Sequence, residues 1–168
     1  METEKLGNSK ENKRIEEIVV KKLENKYGVN SVEKLQKKYN LDFYNDNGKR
    51  IVIAEIYAGI ITLNSGLTIK LNSGPKRKII TDFFKLVHIE NELKKDDSNK
   101  NKEYKKIVVF VDKNIENKFN RENKKDNSWV KDAVESFGID LRTIDISEED
   151  KEKLLNTREK QQRGNIKL

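Results

Sequence analysis

The sequence predicts an α/β protein in which a mixed sheet is flanked by helices, an α-β-β-β-α-β core followed by a C-terminal α-β-α. Three observations lead there. Apolar residues gather at 15–27, 41–63, 79–93, 107–111 and 129–146, although charged residues make up 39% of the chain and apolar ones only 34%. Those segments alternate between helical spacing and short β-branched stretches, the pattern of strands exchanging with helices in a two-faced sheet. Finally, Ile107-Val108-Val109-Phe110-Val111 is apolar at every position, as a strand buried on both faces and reached by a crossover helix requires.

In order along the chain, residues 1–13 are polar and charged and are expected to form a loose tail. The remaining 14–168 are expected to form one domain, large enough for its own core. Ile15, Ile18, Val19, Leu23 and Tyr27 recur at helical spacing with Gly28 as C-cap, which predicts a helix over 14–27. At about 100° per residue Glu16 falls inside the apolar arc of that helix and Glu17 points away. Residues 32–39 read as a basic connector with a helical turn. Leu41 to Tyr44 and Ile51 to Ala58 read as two strands around an Asn45-Asp46-Asn47-Gly48 turn, hence a hairpin.

Residues 59–77 carry a short echo, Leu63-Asn64-Ser65-Gly66 and Leu71-Asn72-Ser73-Gly74, read as a flexible excursion or small hairpin closed by Pro75. A helix over 78–93 follows, its apolar face holding Ile79, Ile80, Phe83, Phe84, Leu86 and Val87. Lys78, Thr81, Asp82, Lys85 and His88 form the stripe opposite. A charged loop over 94–105 leads to a strand over 106–112, and a polar loop over 113–127 leads to a helix capped by Ser128 and ended by Gly138. Trp129 in that helix is expected to anchor the core. The last strand is expected over 139–146. Ser147-Glu148-Glu149-Asp150 then resembles a capping box opening a charged helix to about 162, beyond which the chain frays.

Composition excludes several chemistries. There is no cysteine and one histidine, His88, so disulfides, thiolate zinc sites, thiol catalysis and an all-histidine metal cage are out. No apolar run approaches the roughly 18 residues a membrane helix needs, and Met1 to Lys13 lacks an apolar signal region; the expectation is a cytoplasmic protein without a membrane partner. The formal charge of +7 favours a polyanionic partner, since clustered lysines and arginines release counterions on binding phosphates. Abundant Lys and Asn from biased codon composition would give the same charge.

Two acids stand out. A carboxylate within an apolar strand is costly unless paired, hydrogen-bonded or bound to a cation, and Glu55 lies between Ala54 and Ile56 in such a strand. Asp42, between Leu41 and Phe43, lies across the expected hairpin, where both carboxylates can reach one divalent ion. The structural alternative is that Glu55 pairs with a lysine and Asp42 merely begins the turn. Glu16, on the inner face of the first helix, adds a third acid. Pro75-Lys76-Arg77-Lys78 is a basic cluster at a helix start, suited either to gripping a phosphate backbone or simply to solvation. His88 is read as ordinary surface rather than a general base.

Glu16, Asn40-Leu41-Asp42-Phe43 and Ile53-Ala54-Glu55-Ile56-Tyr57-Ala58 resemble the motifs of the restriction-endonuclease-like superfamily, the PD-(D/E)xK nucleases. The phrase Ala-Glu-Ile-Tyr-Ala followed by a Thr-Asp-Phe-Phe-Lys-Leu helix looks like a poorly characterised set within it. The resemblance spans about 14–146. It implies that Asp42, Glu55 and the Ile56 main-chain carbonyl hold Mg²⁺ (or Mn²⁺) and that Glu16 contacts the ion's water shell. It further implies that Lys76, Arg77 and Lys78 grip DNA. Tyr57 stands where the superfamily usually has its catalytic lysine. In some members that lysine has moved to the following helix, which makes Lys85 the first candidate and Lys78 the second.

The implied activity is Mg²⁺-dependent phosphodiester hydrolysis of DNA by a metal-dependent endodeoxyribonuclease. Cutting both strands often takes two sites, so a homodimer is an expectation to test. The alternatives are a catalytically inactive relative that binds nucleic acid or a protein partner, and an unrelated α/β regulatory domain in which Asp42 and Glu55 are structural.

Overall fold

In a computed structural model, residues 10–63, 66, 68, 70–120 and 128–164 are described, with the backbone alone at 34, 36, 37, 128 and 159–164. The helix α1 (Lys10–Tyr27) is followed by the short α2 (Glu33–Tyr39) and by two strands, β1 (Phe43–Asp46) and β2 (Arg50–Tyr57). Then come α3 (Ser73–Leu93), a 3-10 turn (Asp97–Asn99), β3 (Glu103–Phe110), α4 (Lys113–Asn120), α5 (Ser128–Ser136), β4 (Ile139–Thr143) and α6 (Glu148–Gly164).

The strands lie in the order β1-β2-β3-β4. β1 pairs antiparallel to β2 with Phe43 opposite Ala54. β2 runs parallel to β3, Glu55 opposite Val108, and β3 parallel to β4, Val109 opposite Arg142. This is the mixed α/β sheet expected.

Strand alternation divides the core in two. Ile51, Ile53, Val108 and Phe110 face α3, α4 and α5 through Ile79, Phe83, Leu86, Ile115, Phe119, Val130 and Val134. Val52, Ala54, Ile56, Ile107 and Val109 face α1 and α6 through Ile15, Val19, Leu23, Leu154 and Leu155. Burial on both faces is why β2 and β3 are nearly continuous apolar runs rather than alternating ones. An Arg14–Asp150 ion pair joins α1 to α6, and Ser147 Oγ accepts the Asp150 N–H at 3.1 Å to cap α6, as the capping pattern predicts.

Two turns hold the ends of this scaffold. Gly28, at φ 105°, closes α1 with its N–H on the Glu24 carbonyl at 2.9 Å, a left-handed position that glycine adopts without strain. At the hairpin, Asn47 Oδ1 accepts from Arg50 N–H at 2.8 Å, and Asp46 Oδ1 accepts from Gly48 N–H at 2.9 Å.

Several expectations are corrected. Residues 10–13 are not tail but the first turn of α1. Where the third strand of the expected core would lie, the described residues show an isolated antiparallel bridge, Thr62 to Thr68. The echo's Asn64, Ser65, Leu67 and Ile69 lie outside the described residues, as do the expected tail at 1–9, the loop at 121–127 and the end at 165–168. Pro75 does not precede α3 but sits in its first turn, where its missing N–H has no intrahelical acceptor to lose.

The polar loop expected over 113–127 begins with α4, whose spacing of Ile115 and Phe119 is a single helical turn within charged sequence. β4 stops at Thr143, although Ile146 is still buried. The buried stripe of α3 is Ile79, Asp82, Phe83, Leu86 and Ile89. Asp82 is therefore inside rather than on the solvated stripe, and Phe84, one position round from Phe83, is 53% exposed. Trp129 is 57% exposed and is no core anchor; Val130 and Val134 take the inward positions of α5 instead. No helix among the described residues is long and apolar enough to cross a membrane.

Candidate functional site

The site lies at the carboxyl end of β2, where parallel strands leave their crevice open. β1 stops pairing at Phe43, so the next β2 residues lack a ladder partner on that edge. Asp42 fills the gap with its side chain: Oδ2 accepts the Ile56 N–H at 2.7 Å. Within one strand residue the N–H and C=O point to the same edge, so the Ile56 carbonyl faces the same opening.

Glu55, one residue earlier, turns to the opposite side of β2 from Ile56, toward α3. It is 3% exposed. Lys85 Nζ lies 2.6 Å from its Oε1 and also donates to the Asn40 carbonyl at 2.6 Å. Asn40, at φ 47°, is the one non-glycine with positive φ among the described residues. Lys85 thus ties the strained approach to Asp42 to the carboxylate of Glu55. The amine is well aligned with the carbonyl and poorly aligned with the acid, which leaves buried Glu55 Oε1 beside a charge but without a directed donor.

Two further groups on α3 complete the cluster. Lys78 Nζ meets Asp82 Oδ2 at 3.0 Å, one helical turn apart. The Lys78 side chain is 54% exposed and that of Asp82 9%. From α1, Glu16 approaches Asp42 from the other face of the sheet.

The electrostatics follow from this crowding. Burial, then repulsion from Asp42, pushes Glu55 up to about 8 despite Lys85. Burial and the same neighbour push Glu16 up to about 7. Asp42 is raised by burial, opposed by the Ile56 N–H and by Lys78 and Lys85. Burial would lower Lys78, but Asp82, Glu55 and Asp42 outweigh it and raise the amine. The cluster therefore holds more negative charge than its two lysines neutralise comfortably, an arrangement that a cation would relieve.

The donor set is suitable for a hard ion: two strand carboxylates, a carbonyl on the same edge, and a buried Glu55 oxygen without an aligned donor. Among the described residues, no three acids or imidazoles converge closely enough to hold an ion by themselves. Asp42 and Glu55 could hold one only with the Ile56 carbonyl and water.

Of the sequence candidates, Glu16, Asp42, Glu55, Lys85 and Lys78 come together. Lys76 is half-buried and Arg77 exposed in the first turns of α3. His88 is exposed, edge-on to Tyr39 with ring centroids 6.2 Å apart. Tyr57 shares the Glu55 face and packs on Phe110, 6.5 Å between centroids. Asp82 escaped attention as a site residue; its signal was a carboxylate four residues from Lys78, at a position whose phase is also that of Ile79 and Leu86. Comparison with protein families, with functionally characterised proteins and with solved structures gave no match.

Proposed function

We propose that this chain is a divalent-metal-dependent phosphodiesterase of the PD-(D/E)xK type acting on DNA. The observation that carries the proposal is Lys85 Nζ at 2.6 Å from Glu55 Oε1: a strand acid meets a lysine of the following helix, although Tyr57 stands in the usual lysine position. Asp42, Glu55 and the Ile56 carbonyl would hold Mg²⁺ or Mn²⁺. When bound, such an ion activates water and offsets charge on the scissile phosphate.

The chain's own groups supply the rest. Lys85 brings a positive charge beside Glu55 for the developing negative charge. Glu16, raised to about 7, can accept a proton from water near neutral pH. In the reaction the oxygen of water bonds to phosphorus as one phosphoester bond breaks, and the departing oxygen takes up a proton.

A second reading, an inactive nucleic-acid-binding relative, is favoured by Tyr57 standing in the usual lysine position. Plasmid and single-stranded DNA incubated with Mg²⁺ or Mn²⁺ separate the two. Cleavage that falls at least ~100-fold in Glu55→Ala supports the nuclease. A wild-type protein that cuts neither substrate with either metal overturns it, and cleavage indifferent to Glu55→Ala overturns the site.

A further inference from the structure

A second charged group overlooks the same strand end from α6. Arg158 donates from Nη1 to the Ile60 carbonyl, which places its guanidinium on the turn that leaves β2. Tyr57 covers the same turn: a Cβ on Gly59 would fall 2.3 Å from its ring and 2.5 Å from its hydroxyl. The phenol and the guanidinium thus sit over neighbouring residues.

Among the described residues no carboxylate lies within ion-pair distance of the guanidinium. Asp112, whose charge acts on it, is already saturated. Its Oδ2 accepts from Ile61 and Thr62 N–H at 2.7 and 2.8 Å, and its Oδ1 from Thr62 Oγ1 and Asn114 N–H at 2.8 and 2.9 Å.

We propose that Arg158 and the Tyr57 hydroxyl form a subsite for a backbone phosphodiester of the nucleic acid, adjoining the phosphate held over Asp42 and Glu55. A planar guanidinium with one donor committed to a carbonyl still presents its fork to phosphate oxygens, and a phenol adds a neutral donor. The subsite gives Tyr57 a role where lysine is usual: it orients substrate. This assignment rests on the nuclease reading for its substrate, yet binding tests it separately from cleavage.

The test measures binding of fluorescein-labelled duplex and single-stranded oligonucleotides in Ca²⁺, over a salt series, for wild type, Arg158→Gln, Arg158→Lys and Tyr57→Phe. Inorganic phosphate serves as competitor. Arg158→Gln is expected to weaken oligonucleotide binding ~10-fold or more and to reduce the slope of log K against log salt by about one. Arg158→Lys should restore the slope, and Tyr57→Phe should weaken binding less. In cleavage, Arg158→Gln should raise KM more than it lowers kcat.

Phosphate that competes as well as oligonucleotide, mole for mole, would overturn the assignment to a nucleic-acid backbone. So would an Arg158→Gln protein that melts like wild type and binds with unchanged affinity and slope. Wild-type binding that depends on Arg158 without any cleavage would support the subsite while removing the nuclease. Cleavage unaffected in KM by Arg158→Gln would do the reverse.

Discussion

At the residue scale, Glu55 and Lys85 set the stability of the site against its charge. The folded pKa of Glu55, about 8, lies above its unfolded value, so between the two the native state binds the extra proton. Stability is then greatest below the unfolded pKa and falls as pH rises through 8. Glu55→Gln should raise the melting temperature at pH 8 by about 4 °C and flatten its decline between pH 5 and 8, read by thermal denaturation. A melting temperature that falls at pH 8 in Glu55→Gln would show that ionised Glu55 stabilises the fold. Lys85→Met removes the cation beside that acid and the bond to the Asn40 carbonyl. We expect a loss of about 2 kcal/mol near pH 8, shrinking toward pH 5 where Glu55 holds its proton.

The same scale shows which site residues are legible in sequence. Asp42 and Glu55 stand out because each interrupts apolar sequence, and Glu16 because helical phase turns it inward. Asp82 does not. Its neighbours Thr81 and Lys85 are polar, so local pattern assigns it to the solvated stripe. Its burial comes from the rotation of α3 on the sheet, which brings Ile79, Phe83 and Leu86 to the core and carries Asp82 with them. Arg158 is invisible for a similar reason. It lies in a charged terminal helix, and only docking of α6 beside α1 carries it to the Ile60 carbonyl.

At the scale of elements, the turn after β2 links strand, helix and site. Gly59 is required there by contact rather than by φ, since a Cβ would strike the Tyr57 ring at 2.3 Å. Gly59→Ala should destabilise by about 1–3 kcal/mol in urea denaturation and displace Tyr57; a stability equal to wild type would mean the ring moves freely. Asp112 holds the next two residues through its backbone bonds. Asp112→Ala should cost ~3 kcal/mol, because it strands the buried Ile61 N–H and the half-buried Thr62 N–H, and a cost near zero would show water replacing the carboxylate.

Strands and long helices were legible because their apolar patterns satisfy one period over many residues. The short α4 was not. Lys113–Asn120 has two core residues, Ile115 and Phe119, within polar sequence, too few turns for a period to declare itself. The expected third strand is a different case: Leu63 and Leu71 suggest a hairpin, and among the described residues of that segment the Thr62 to Thr68 bridge is the pairing seen.

At the scale of the whole molecule, the sheet separates two cores and places the acids at an open end where strand β1 is shorter than β2. Trp129, the only tryptophan in the sequence, is 57% exposed, so its fluorescence tests whether that face of α5 is covered. Its emission maximum should lie close to that of the unfolded chain, with strong quenching by acrylamide; a blue-shifted, protected emission would place it in an interface between copies.

The sequence by itself determined the α/β class, the Asn-Gly hairpin, the two-faced burial of β2 and β3, and the acids at 16, 42 and 55. Each is a local matter of period, turn chemistry or a charge set in apolar sequence. Tertiary structure alone decided that Lys85 reaches Glu55, that Asp82 is buried against the sheet, and that Arg158 of α6 meets the turn beside Tyr57. The physical reason is distance along the chain. Those contacts join elements separated by tens of residues, and helix rotation and docking, which local periodicity does not encode, set where their side chains meet.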